Sequence, residues 1–152
     1  MSSRALKFPA GSLYDEDFAA WTAVTARLLR ARRLAEIDLE HLAEEIEDMG
    51  KSQGRELHSR FRVLLVHLLK WQRQPQKRSR SWRSTIDTQR VELRDLLRQS
   101  PSLRRRLPAS LPEVYRDAVR AAGIETGLAA RSFPRECPFQ LEHLLDQDFL
   151  PG

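Results

Sequence analysis

The sequence predicts an all-α protein: a single-domain helical bundle with a long buried central helix and short C-terminal helices. Three observations carry that expectation. Over residues 57–71, LHSRFRVLLVHLLKW, Leu57, Phe61, Leu64, Leu68 and Trp71 recur at helical spacing on one stripe, while Val63, Val66 and Leu69 place apolar groups on the other faces. A helix that is apolar on nearly every side has to be wrapped by others. The segments on both sides of it carry one-sided apolar patterns of the same period. No window shows the two-residue alternation of a half-buried strand, and no internal repeat is present. The apolar run falls short of the roughly 18 residues of a membrane span, and Arg62, His67 and Lys70 interrupt it.

Residues 1–12 read as a flexible N-terminal arm, and residues 13–152 as the helical domain. The first helix covers residues 14–33, with Phe18, Trp21, Val24 or Thr25, and Leu28 at helical spacing. Asp15, Glu16 and Asp17 open it, and Arg27, Arg30, Arg32 and Arg33 close it, the order the helix dipole favours. Asp38 can cap a second helix running to about Met49, with Leu39, Leu42, Ala43, Ile46 and Met49 on one side and His41, Glu44 and Asp48 on the other. Gly50 and Gly54 each weaken a helix by about 1 kcal/mol relative to alanine. They predict a break before the central helix, giving an antiparallel pair joined by a short turn, with a single bent helix as the alternative.

The central helix should end near Gln74, because a residue preceding proline is pushed out of helical geometry. PQKRSR then reads as an exposed basic loop. Ser81 can cap the next helix, whose core side is Trp82, Ile86, Leu93, Leu96 and Leu97, with Arg83, Arg90, Arg94 and Arg98 forming a basic stripe on the neighbouring face. After Ser100, Pro101 and Ser102, LRRRLP predicts a short helical turn before Pro108. A further helix then starts with Pro112 in its first turn, buries Val114, Tyr115, Ala118, Val119 and Ala122, and ends between Gly123 and Gly127. Pro134 and Pro138 hold the next stretch extended. A last short helix over residues 139–145 folds Leu141, Leu144 and Leu145 back onto the bundle, with Phe149 as the final anchor.

The 152 residues suit one domain that buries about 70% of its unfolded surface. With 41% hydrophobic and 31% charged residues the composition is globular. Cys137 is the only cysteine, which excludes an intrachain disulfide and a cysteine metal cluster. MSSRALKFPAGS lacks the apolar run of a signal peptide, so a cytoplasmic location is expected. The net charge is +5 and unevenly spread: residues 36–50 hold seven acids and no Lys or Arg, whereas residues 51–83 hold ten Lys or Arg and one acid, Glu56.

Several stretches occur together in a recognisable order: YDEDFAAW, IDLEHLAEEIEDMGKS, LLVHLLKWQRQPQKRSRSWRSTI, SPSL and FPRECPFQLEHLLDQDFLP. The chain resembles the bacterial family catalogued as domain of unknown function number twenty-nine, over about residues 14–151 and most specifically over residues 64–86, where His67, Leu68, Leu69, Lys70, Trp71, Gln72, Pro75, Arg78, Ser79, Ser81, Trp82 and Ile86 follow the family wording. The resemblance implies an α-helical cytoplasmic protein and supplies no catalytic residues. An arginine-heavy surface is where this chain departs from the family.

The leading functional candidate is the basic segment. Lys70, Arg73, Lys77, Arg78, Arg80 and Arg83 fall within 14 residues without an acid, and Arg90 and Arg94 extend the patch. Such groups hold phosphates by charge neutralisation and counterion release. Trp71 and Trp82 flank the segment, but both sit on apolar stripes and read as core rather than as platforms for bases. The competing interpretation is a solvated or acid-paired surface. A metal-binding bundle is a second candidate: His41, Glu45 and Asp48 rise on one flank of a helix beside Glu44, and His67 or His58 is available from the next, but the paired Glu-x-x-His motif of di-iron bundles is missing. A third is a helical ribonuclease, because Arg62 and His67 have the R-x-x-x-x-H spacing that resembles the motif of one such group. Against it, the two lie about 140° apart on a regular helix, and a core histidine bonded to a carboxylate or carbonyl is the simpler account. No Gly-rich phosphate loop, nucleophile elbow or Cys-His cluster is present, so no cofactor is expected and Cys137 reads as a packed thiol. The preferred expectation is a non-enzymatic binding protein whose partner is nucleic acid, another protein or a second copy of itself, with no membrane partner.

Overall fold

A computed structural model describes residues 12–152. All but the last residue of the expected N-terminal arm therefore lies outside the described residues. The chain is all-α, with no strand among the described residues. It divides into two compact units, Met1–Ser52 and Gln53–Gly152.

In the first unit, α1 (Ser12–Glu16) and α2 (Phe18–Arg30) replace the single expected helix. The break falls at Asp17, whose carboxylate accepts from the Ala20 N–H at 2.9 Å and so caps α2 rather than lying inside a longer helix. α2 ends with Arg32 at φ 57°. Arg33 N–H donates to the Leu28 carbonyl and Arg32 N–H to that of Leu29, a closing pattern that usually places glycine where Arg32 stands. Trp21, Thr25 and Ile37 are buried, and Tyr14 packs edge-on against both Phe18 and Trp21.

α3 (Leu39–Arg73) begins at Asp38, whose carboxylate accepts from the His41 N–H. It corrects the expected antiparallel pair: 35 residues run unbroken through Gly50 and Gly54. Two glycines cost roughly 2 kcal/mol of helix propensity, but neither adopts a positive φ, so nothing turns the chain.

The second unit holds the core. Phe61, Leu64, Leu65, Leu68 and Leu69 of α3 are fully buried with Ile86 and Leu93 of α4 (Arg80–Gln99), Ala118 and Ala122 of α5 (Ser102–Thr126) and Leu144 of α6 (Leu141–Leu145). The central stretch is therefore wrapped, as its all-round apolar pattern requires. α5 is one helix where a turn and a separate helix were expected. Pro108 and Pro112 free the carbonyls of Arg104 and Pro108, and all three residues are exposed, so water can satisfy what the prolines leave unpaired. Gly127, at φ 74°, closes the helix by donating to the Gly123 carbonyl. α6 is shorter than expected at its start, and Phe139 precedes it as a buried core residue.

Candidate nucleic-acid interface

The basic segment lies in the second unit, where α3 hands over to α4. α3 stops at Arg73; Gln74 leaves helical geometry, and Pro75–Lys77 form one 3₁₀ turn. The cap of α4 is Ser79 and not Ser81, since the Ser79 hydroxyl accepts from the Trp82 N–H at 3.1 Å. α4 therefore starts at Arg80, two residues earlier than expected.

Of the eight cations singled out from sequence, four stand in the open. Arg73, Lys77, Arg78 and Arg80 are exposed, and none has a carboxylate partner among the described residues. Arg73 sits in the last turn of α3, where the helix dipole favours a cation. Arg80 sits in the first turn of α4, where the dipole opposes one, and no acidic residue accompanies it. The positive end of α4 and the cations beside it thus add rather than cancel. Arg78 donates from Nε to the Trp71 carbonyl at 2.9 Å, with its guanidinium 5.1 Å from the Trp71 ring centroid.

The other four are engaged. Lys70 is nearly covered, bonded to Glu125 at 2.9 Å and lying 4.6 Å from the Trp82 ring centroid. Each tryptophan thus carries a cation of its own chain on one face, and both are half-buried. Arg83 reaches Asp87 at 3.3 Å and the Gln147 carbonyl at 3.3 Å. Arg94 donates to the Gln147 side chain at 2.5 Å. With Arg98 and Arg104 it lines a cavity of about 490 Å³ that Glu142 and Asp146 also face.

Arg90 corrects the expected surface stripe, because its side chain is 0% exposed. It donates to the carbonyls of Leu144 at 2.9 Å, Phe149 at 2.7 Å and His143 at 3.2 Å, binding the end of α6 and the segment beyond it. Burial is the main influence lowering its pKa from the usual guanidinium value, with Arg83 adding to it. The signal was present in the sequence: Ile86, Arg90, Leu93 and Leu97 follow the i, i+4, i+7, i+11 spacing of the core stripe itself. Gln147, which joins Asp87, Arg83 and Arg94, had no sequence signal.

The alternative sites are not assembled. Arg62 is exposed, whereas His67 is half-buried with Nδ1 donating to the Val63 carbonyl at 2.8 Å, and no hydrogen bond joins the two. Desolvation lowers the His67 pKa, which keeps it neutral. In the first unit His41 bonds Asp38 at 2.5 Å and stacks on Tyr14 with 4.2 Å between centroids, and Tyr14 donates to Glu45. Those bonds raise the His41 pKa and lower that of Asp38, while the Glu45 bond pushes Tyr14 to about 12. His58 of the second unit is bound to Asp117 at 2.9 Å. No group of three His, Cys, Asp or Glu among the described residues is placed to hold a metal ion. Cys137 is half-buried, its Sγ 3.5 Å from the Phe139 carbonyl, and burial raises its pKa.

The family model described as "Domain of unknown function DUF29" matches residues 13–150. The chain belongs to the DUF29 family. No curated protein and no solved structure matches it. The DUF29 match takes in the acidic helix, the basic turn and the C-terminal segment held by Arg90, and by its own description assigns no activity to any of them. No helix of this DUF29 chain, among the described residues, is long and apolar enough to cross a membrane.

Proposed function

We propose that the chain is a non-enzymatic binding protein that holds nucleic-acid phosphates on the turn between α3 and α4. One observation carries this reading: Arg73, Lys77, Arg78 and Arg80 are exposed without internal carboxylates, around a helix start that is itself positive. Several cations that flank the turn in sequence have a structural employment. Lys70, Arg83, Arg90, Arg94 and Arg98 are tied to Glu125, Asp87, main-chain carbonyls, Gln147 and Asp95 respectively. The four at the turn, apart from the Arg78 bond to Trp71, contribute little to the fold and instead add self-repulsion, a cost that a bound polyanion relieves. With one face of each tryptophan covered, recognition runs through phosphates and is indifferent to sequence.

Mobility shift with mixed-sequence DNA and RNA at low salt tests the proposal. The expected result is a shift at micromolar protein that the double variant Lys77→Glu/Arg80→Glu abolishes without altering the melting temperature. The absence of a shift for the native chain, or equal binding by the variant, overturns it.

A further inference from the structure

A different surface in the first unit fits a second partner. Within α3, Leu39, Leu42, Ile46 and Met49 repeat at spacings of three, four and three residues, the seam pattern of a helix that packs against another helix. Yet Leu39 is 57% exposed, Ile46 60% and Met49 69%, with Leu42 half-covered. The side of the helix that α1 uses is a different one, reached through Glu45 and His41 by Tyr14. At about 100° per residue, Ala43 and Gly50 lie next to the apolar ridge, and Glu40 and Glu47 lie beyond them on one line. A Cβ on Gly50 would meet nothing within 4 Å, so the chain's own packing gives no reason for glycine there, whereas close approach of a second backbone would.

We propose that this ridge docks a basic amphipathic helix of a partner protein, apolar side chains against Leu42, Ile46 and Met49 and Lys or Arg against Glu40 and Glu47. Charge selects the occupant. Glu40 and Glu47, which border the ridge, have no cationic partner among the described residues. A second copy would bring the same acidic rim against this one, and an anionic lipid surface would be repelled by it. A helix with basic flanks meets both the apolar ridge and the rim, the groove mode of peptide recognition.

The test uses the full chain and two fluorescent synthetic amphipathic helices, one of Leu and Lys and one of Leu and Glu, read by anisotropy. The Lys helix is expected to bind at micromolar concentration and the Glu helix not at all. Ile46→Asp, Glu47→Lys and Gly50→Leu should each weaken binding by about ten-fold or more. Glu44→Lys, on the opposite side of the helix, should leave it unchanged. The ridge positions are solvent-facing, so unchanged melting temperatures separate lost docking from lost folding. Absence of binding, or an equal loss in Glu44→Lys, overturns the proposal, the latter by showing undirected charge attraction. Self-association in sedimentation that Ile46→Asp abolishes also overturns it, in favour of a second copy. Oligonucleotide binding by the α3–α4 turn is independent of every one of these outcomes.

Discussion

Arg90 shows how a single side chain can be a structural clamp where composition suggests a ligand-binding group. Its guanidinium replaces water for three main-chain carbonyls at the end of α6 and beyond, of which that of His143 also accepts from the Asp146 N–H. Arg90→Leu keeps an apolar side chain in the core but strands the Leu144 and Phe149 carbonyls, and should lower stability by about 3 kcal/mol in urea denaturation. Arg90→Lys should not restore it, because one ammonium group cannot span three acceptors. At the start of α3 the His41–Asp38 pair makes stability depend on pH. The contribution of Asp38 is present above its ordinary 3.8 and is lost as pH falls through its lowered value. That of His41 is complete below its ordinary 6.5 and is lost as pH rises through its raised value. The pair therefore supports the first unit most between pH 3.8 and 6.5. By NMR, His41 should titrate above 6.5 in the native chain and move back toward it in Asp38→Asn; an unmoved titration would contradict the account.

Helices were legible where apolar periodicity had something to wrap. The buried stretch of α3, the core side of α4 and the end of α5 at Gly127 follow from spacing and cap chemistry. The joints were less legible, because local breakers act only when the backbone needs them. Gly50 and Gly54 permit a turn, but helical hydrogen bonding on both sides continues through them without a break. Pro108 and Pro112 remove donors, but at exposed positions where the freed carbonyls meet water. Conversely Asp17, expected as a helical residue, found an N–H to cap and ended one helix before starting the next. Because a methyl group at Gly50 or Gly54 meets nothing within 4 Å, Gly50→Ala and Gly54→Ala should each stabilise α3 by about 1 kcal/mol, read as a higher urea midpoint. A loss of stability in either would mean that the helix is not continuous there.

For the chain as a whole, the lopsided charge is resolved in a way that the sum of +5 conceals. Lys70, Arg60 and Arg83 of the basic block pair with Glu125, with Glu56 and Glu92, and with Asp87, all within the second unit. The acidic block keeps Glu40, Glu44, Glu47 and Asp48 without cationic partners among the described residues. Arg60–Glu56 and Arg83–Asp87 are i,i+4 pairs, but Lys70–Glu125 and Arg60–Glu92 join residues far apart in sequence and leave no local pattern, which is one reason the candidate site read from sequence contained both free and engaged cations. What remains at the α3–α4 turn is a compact cationic surface, and its strength is measured by salt. Fluorescence anisotropy with a labelled single-stranded oligonucleotide, repeated across a salt series, tests that claim most directly. The native chain should give a log–log slope of about −2 to −3, as expected when three or four cations neutralise phosphates. Lys77→Glu/Arg80→Glu should flatten that slope at an unchanged melting temperature. Salt-independent binding, or a slope that the variant leaves intact, would contradict it.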